Sequence, residues 1–312
     1  MLNIEAEDAA NRVHMARVRF GDYKNTLDKI IDLYDRTKRY GKPFGLTVTG
    51  ETGSGKSTII EELKALYPPV RMEEKTVHPI VFINVPANPD IKFIYRAIID
   101  QLGIAPGERA TERQLRIQAI TLLIQAETRL LVADEVQHFV EKKVLKHPAI
   151  VADCFKGLMN EAKVSIAFFG LPYLSRLLQA NAQLRRRFSE TCKIKGWSIN
   201  TKESSGDFCS LIKTLLEGSK YEVDTKALGS RMLIESIYYA TDGRISNVAT
   251  LLAETIRLMI MKKDRIISKD YLERAFRSKI WDVVDKKRNP FDKKFNHERL
   301  IRCGECYAEG EF

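Results

Sequence analysis

Residues 50–58 read GETGSGKST, and Gly50, Gly55, Lys56 and Ser57 fill the four fixed positions of G-x-x-x-x-G-K-[ST]. That spacing calls for a tight Gly-rich turn opening straight into a helix, where backbone N–H groups and the helix N-terminus converge on one anion. A strand has to deliver such a turn. "FGLTVTG" (44–50) is a short apolar run of the right kind, and "TIIEELKALYP" (58–68) is a helix stopped by Pro68 and Pro69. In this context Gly50, Glu51, Thr52, Gly53, Ser54, Gly55, Lys56, Ser57 and Thr58 are expected to cradle ATP. Lys56 would reach the β- and γ-oxygens and Ser57 would hold Mg2+. A purely structural Gly-rich turn is the competing reading.

Three more apolar runs follow: "IVFINV" (80–85), "RLLVAD" (129–134) and "VSIAFFG" (164–170), with "CKIKGWSI" (192–199) as a fifth. Helical stretches separate them, and Thr111 with Gln114 has the spacing of a capping box. Alternating strand and helix predicts an α/β fold, a central parallel sheet flanked by helices on both faces. "RLLVAD" carries Asp134 to the end of its strand, where a carboxylate can join the magnesium shell. Glu135, one residue on, is placed to act as general base toward an attacking water. A solvated strand end is the alternative for this acidic pair.

From about residue 203 the strand signal gives way to helical patterns broken at Gly218 and Gly243. The expected organisation is an N-terminal helical segment at 1–42, a nucleotide-binding domain at 43–202, a helical lid at 203–282 and a polar tail at 283–312. The chain has 312 residues, a net charge of +10 and five cysteines. The charge makes an acidic partner plausible, nucleic acid before membrane, because no basic amphipathic helix faced with Trp and Phe is evident. The N-terminus lacks the apolar centre of a signal peptide and the cysteines are an odd, scattered set, which predicts a cytoplasmic protein in a reducing compartment. Cys303 and Cys306, in "CGEC", supply half of a four-ligand zinc site with no second pair after them.

One strand stands in sequence between the phosphate-loop strand and the acidic strand. With the paired "DE", this resembles the branch of phosphate-loop proteins that includes the AAA+ ATPases. That resemblance implies further roles. Arg187, in "QLRRRF" before the fifth strand, matches the arginine that reaches a neighbouring subunit's γ-phosphate, with Arg186 and Arg185 as alternatives. A solvated or DNA-facing basic cluster also remains open for these three. Arg244, after Gly243 at the start of a long amphipathic helix, matches the second sensor of the lid. The polar first sensor expected at the end of the fourth strand is replaced by Phe168, Phe169 and Gly170.

"GETGSGKST", "VADEVQHF", "AFFGLP", "QLRRRF" and "ATDGRISNVATLLAETI" follow one another as in the TnsC/TniB family of transposition regulators, related more distantly to the MuB transposition protein. This resemblance runs from about residue 20 to 280. It implies an ATP-dependent protein forming homo-oligomeric rings or filaments on double-stranded DNA, without sequence preference, and hydrolysing ATP slowly or under partner control. It also implies transposase and TniQ-type target-selection partners, and a bacterial, nucleoid-associated location. Lys92, Thr111 and Arg113 are nominated for the DNA-facing surface, each with a solvated helix end as the alternative. The tail from Asp285 is a candidate for capture by the transposase, or a disordered end. Initiator or helicase-loader relatives, and signalling or secretion ATPases of the same fold, are the competing functions.

Overall fold

A computed structural model describes residues 2–19, 21–141, 148–282 and 284–308. The chain divides into two compact units: Phe20–Lys195, and Met1–Arg19 together with Gly196–Phe312.

The first unit is built on the predicted parallel sheet. Its strands are β1 (Gly45–Thr49), β4 (Ile80–Asn84), β5 (Leu130–Asp134), β6 (Ser165–Gly170) and β7 (Glu190–Lys193), in the order β4-β5-β6-β1-β7. All four neighbouring pairs are parallel. A small antiparallel hairpin, β2 (Val70–Arg71) with β3 (Thr76–Val77), precedes β4 and has no counterpart among the predicted strands. β7 begins two residues before the predicted strand and ends at Lys193, with one further bond from the Ile194 N–H to the Thr49 carbonyl at 2.7 Å.

Apolar residues alternate across the strands, so each face of the sheet carries its own core. On one face Val81, Ile83, Leu131, Ala133, Ile166 and Phe168 pack under α4 (Ile91–Gln101), α5 (Glu112–Gln125) and α6 (Pro148–Glu161). On the other, Val48, Leu130, Val132 and Phe169 pack under α2 (Gly21–Tyr40) and α3 (Lys56–Leu66), whose inward stripes include Leu27, Ile30, Ile59 and Leu63. Two short helices, α7 (Ser175–Gln179) and α8 (Ala182–Arg187), lead into β7. The parallel register brings Asn84, Asp134 and Gly170, with Thr49 leading into the phosphate loop, to one edge of the sheet.

The second unit is helical: α1 (Leu2–Met15), α9 (Lys202–Gly218), α10 (Arg231–Thr241), α11 (Ile245–Lys262) and α12 (Lys269–Lys279). The compact units differ from the expected division at residues 42, 202 and 282 in two respects. First, the N-terminal segment splits. α2 packs on the sheet, whereas α1 buries a stripe of small residues, Ala6, Ala9, Ala10 and Val13, against α11 and α9. Small side chains allow close approach, and a Cβ on Gly218 would lie 2.7 Å from the Ala16 Cβ. Second, the described part of the tail is folded. Phe291, Phe295, Leu300 and Tyr307 are buried, and Tyr307 Oη donates to the Ala240 carbonyl at 2.6 Å. The polarity that suggests a free tail is consumed by pairing: Arg288 bonds Glu305 and the Arg299 carbonyl, and Arg299 bonds both carboxylate oxygens of Asp242 at 2.7 and 2.9 Å. Val283 and residues 309–312 lie outside the described set.

Candidate nucleoside triphosphate site

The phosphate loop leaves β1 and enters α3 through backbone that only glycine adopts without strain, φ 78° at Gly53 and 102° at Gly55. Gly55 is the N-cap of α3 and no side chain caps the helix, so its first-turn N–H groups are open to an anion. Gly50 is required for space: a Cβ there would sit 2.5 Å from Ser54 Oγ and 2.7 Å from the Ile194 carbonyl. Ser54 Oγ is buried without a protein partner among the described residues, as a group lining a polyphosphate cradle would be. Glu51 and Thr52 sit exposed on the turn, and Thr58 lies half-buried in the first turn of α3.

Lys56 is 7% exposed, with Nζ donating to the Gly50 carbonyl at 2.6 Å and the Glu51 carbonyl at 3.0 Å. Burial pushes its pKa down, and the carboxylates of Glu135, Asp134 and Glu51 pull the other way. Burial pushes Asp134 up, while the Glu135 N–H that bonds its Oδ1 at 2.9 Å holds it down. Each charge is disfavoured by desolvation, and each sits in the other's field.

Ser57 and Asp134 line one pocket of about 280 Å3 with Asn84, Lys64 and Gln101. A hydroxyl and a carboxylate converging there form a hard oxygen donor set that fits a magnesium ion. Glu135 follows at φ 56°, a left-handed conformation that turns the chain sharply out of β5. The next residues, Val136–Phe139, form a 3-10 turn anchored in the core by Val136 and Phe139. The site therefore joins a glycine-rich turn at a helix N-terminus, a buried cation, a hydroxyl–carboxylate pair and a second carboxylate one residue on. That set can bind a nucleoside triphosphate and hydrolyse it.

The predicted residues outside this cluster are dispersed. Arg187 ends α8 and donates to Asn160, which lies at the end of α6 just before β6. With Lys42, Lys163 and Arg186 it lines a basic pocket at the edge where strands enter the sheet. The phosphate loop is at the exit edge, the length of β1 away, or about 16 Å at the usual rise per residue. Arg185 and Arg186 are exposed on the same helix. Arg244 is the N-cap of α11 in the helical unit, 3.3 Å from Asp242 and over the Tyr307 ring. Lys92 Nζ bonds the Ala110 carbonyl at 3.1 Å, which ties the start of α4 to the start of α5, where Thr111 and the exposed Arg113 lie. The Thr111 hydroxyl is engaged in its own capping box with Gln114.

Sequence reasoning passes over Gln137. Its amide donates to Glu135 Oε2 and accepts the Leu171 N–H at 3.1 Å.

The description "Bacterial TniB protein" matches residues 13–199, the span from the second half of α1 past β7. The chain belongs to the TniB family. A comparison with curated proteins found no match. Among solved structures, this TniB-family chain is similar to Cdc6p from Pyrobaculum aerophilum, with TM-score 0.61 and 14% identity over 85% of this chain and 68% of that one. It is also similar to the Aeropyrum pernix ORC2 protein, with TM-score 0.59 and 13% identity over 86% and 69%. The Aeropyrum pernix ORC1 protein in complex with DNA gives TM-score 0.56 and 12% identity over 81% and 64%. At such identities the likeness is one of fold alone. No helix among the described residues is long and apolar enough to cross a membrane.

Proposed function

We propose that this chain is an ATP-hydrolysing, DNA-binding protein that assembles on duplex DNA and links a TniQ-type target selector to the transposase. The observation that carries the reading is the convergence of Lys56, Ser57, Asp134 and Glu135 within the segment matched by the TniB family. Lys56 holds the β- and γ-phosphates, and Ser57 and Asp134 hold Mg2+. Bound magnesium neutralises phosphate charge; Glu135 orients the water and takes its proton. Arg187 lies at the strand-entry edge, away from its own phosphate loop, which supports a role at the nucleotide of a neighbouring copy. Arg244, at the head of α11, serves as the lid's contact to nucleotide.

The net charge of +10 supports a polyanionic partner, and the fold is shared with an ORC1 protein solved in complex with DNA. Lys92 and Arg113 form the DNA-facing patch, with Thr111 beside them.

The test is a salt titration of duplex DNA binding with a slowly hydrolysed ATP analogue and with ADP. Binding should need the analogue, should be insensitive to sequence and should fall steeply with salt. Removing one cation that neutralises a phosphate makes the log–log slope shallower by about 0.9, so Lys92→Ala with Arg113→Ala should reduce it. An unchanged slope would remove these two residues from the DNA surface. DNA binding that ignores the nucleotide would contradict the proposed function.

A further inference from the structure

The peptide group joining Gly170 to Leu171, at the end of β6, is engaged on both sides. Its carbonyl accepts the N–H of Gly50, the first residue of the phosphate loop, at 3.2 Å. Its N–H donates to Gln137 Oε1 at 3.1 Å. The other end of the same Gln137 amide donates to Glu135 Oε2. A continuous line of three hydrogen bonds thus runs from the phosphate loop, through one peptide group and one side chain, to the proposed general base.

The surroundings are built for this arrangement. Gln137 is 2% exposed, and both ends of its amide are used, as a buried polar side chain requires. Gly170 has no room for a side chain: a Cβ there would collide with Gln137 Oε1. The two residues before it are spent on packing. Phe168 stacks on Phe188 at 4.5 Å and Phe169 faces the opposite core, both fully buried. The end of β6 therefore offers no polar side chain of its own, and the polar group there comes from the turn after β5.

We infer that Gln137 is a positioning residue for ATP hydrolysis. It fixes one carboxylate oxygen of Glu135, leaves the other for water, and couples that orientation to the phosphate loop through the Gly170–Leu171 peptide. The inference rests on the hydrolytic reading of Glu135. Restricting the base to one orientation raises the population of attack-ready geometry without adding a contact to the nucleotide.

Gln137→Glu is the informative variant. It keeps the volume and the acceptor for Leu171, replaces the donor by an oxygen, and sets a like charge against Glu135. Measured on the full chain with duplex DNA, kcat should fall by about tenfold or more while KM for ATP stays near the parent value, because general-base geometry is worth about 10² or more. The melting temperature should drop, because a second carboxylate is buried beside Glu135. Glu135→Gln is the control, and adding Gln137→Glu to it should cause no further loss. If that drop leaves Gln137→Glu unfolded, Gly170→Ala displaces the Gln137 amide from the other side and should lower kcat at unchanged nucleotide affinity.

A Gln137→Glu enzyme with parental or raised kcat, beside an inactive Glu135→Gln, would overturn the inference alone. A Glu135→Gln enzyme that hydrolyses like the parent would overturn the reading of Glu135 beneath it.

Discussion

Asp134 is held in a place that costs the folded chain stability. Burial raises its carboxyl from the ordinary value of 3.8. A folded-state pKa above the unfolded one means that the native state holds the proton longer, so stability falls as pH rises through the window between the two values. The whole penalty is present once the pH exceeds the folded-state value. Asp134→Asn keeps an acceptor for the Glu135 N–H and removes the charge. In the absence of nucleotide it should therefore melt higher than the parent at pH 7, with the gap closing toward pH 4, and it should lose the extra stabilisation given by Mg–ATP. Thermal melts at the two pH values check this; a variant that melts lower at pH 7 would show that Asp134 is worth more to Lys56 than its desolvation costs.

Residues of this site differ in how visible they are in the sequence. The phosphate loop and the Asp134–Glu135 pair follow from fixed spacing and a strand ending in acids. Gln137 carries no such signal, because one of its two partners is a backbone N–H 34 residues away.

At the scale of elements, the C-terminal segment turns on a few buried anchors. Phe291 is 2% exposed and packs edge-on to Phe276 of α12 at 6.0 Å. Asp242, in the turn between α10 and α11, receives Arg299 from that segment and Arg244 from the head of α11. Phe291→Ala should cost about 3–5 kcal/mol, the range for removing a buried aromatic side chain. It would be read as a lower denaturation midpoint of the helical unit, with the ATP affinity of the full-length variant as a comparison. A loss under about 1 kcal/mol would mean that the segment is only loosely attached, as expected for an exposed side chain.

β1, β4, β5 and β6 are legible because each is a largely buried run bounded by turn residues, whereas β7 buries only Cys192 and its bounds are shifted from the predicted ones. The folded tail is not legible, since four apolar anchors spread over residues 291–307 have no helix or strand period and their neighbours read as solvated charge. The allegiance of α1 is hidden for another reason. Its Ala6, Ala9, Ala10 and Val13 stripe announces an amphipathic helix, and the stripe alone does not name the surface it covers.

For the whole molecule, the placement of Arg187 at the strand-entry edge sets a test of assembly. A finger that acts across a subunit boundary can be supplied by a copy whose own catalytic base is dead. Arg187→Ala alone should lose hydrolysis by about 10³-fold or more, by analogy with arginine fingers in related hydrolases. Mixing it with Glu135→Gln, itself inactive, should restore part of the rate, because the intact Arg187 of one copy then meets the intact Glu135 of the other. No recovery on mixing, with both proteins assembled, would leave Arg187 as a residue of the basic pocket and nothing more.

The central claim is that nucleotide state governs assembly on DNA. Imaging the purified protein with duplex DNA tests it most directly, comparing a slowly hydrolysed ATP analogue with ADP. Rings or filaments on DNA with the analogue, and dispersed subunits with ADP, are the predicted result. Dispersed subunits in both states, with bare DNA, would contradict the account.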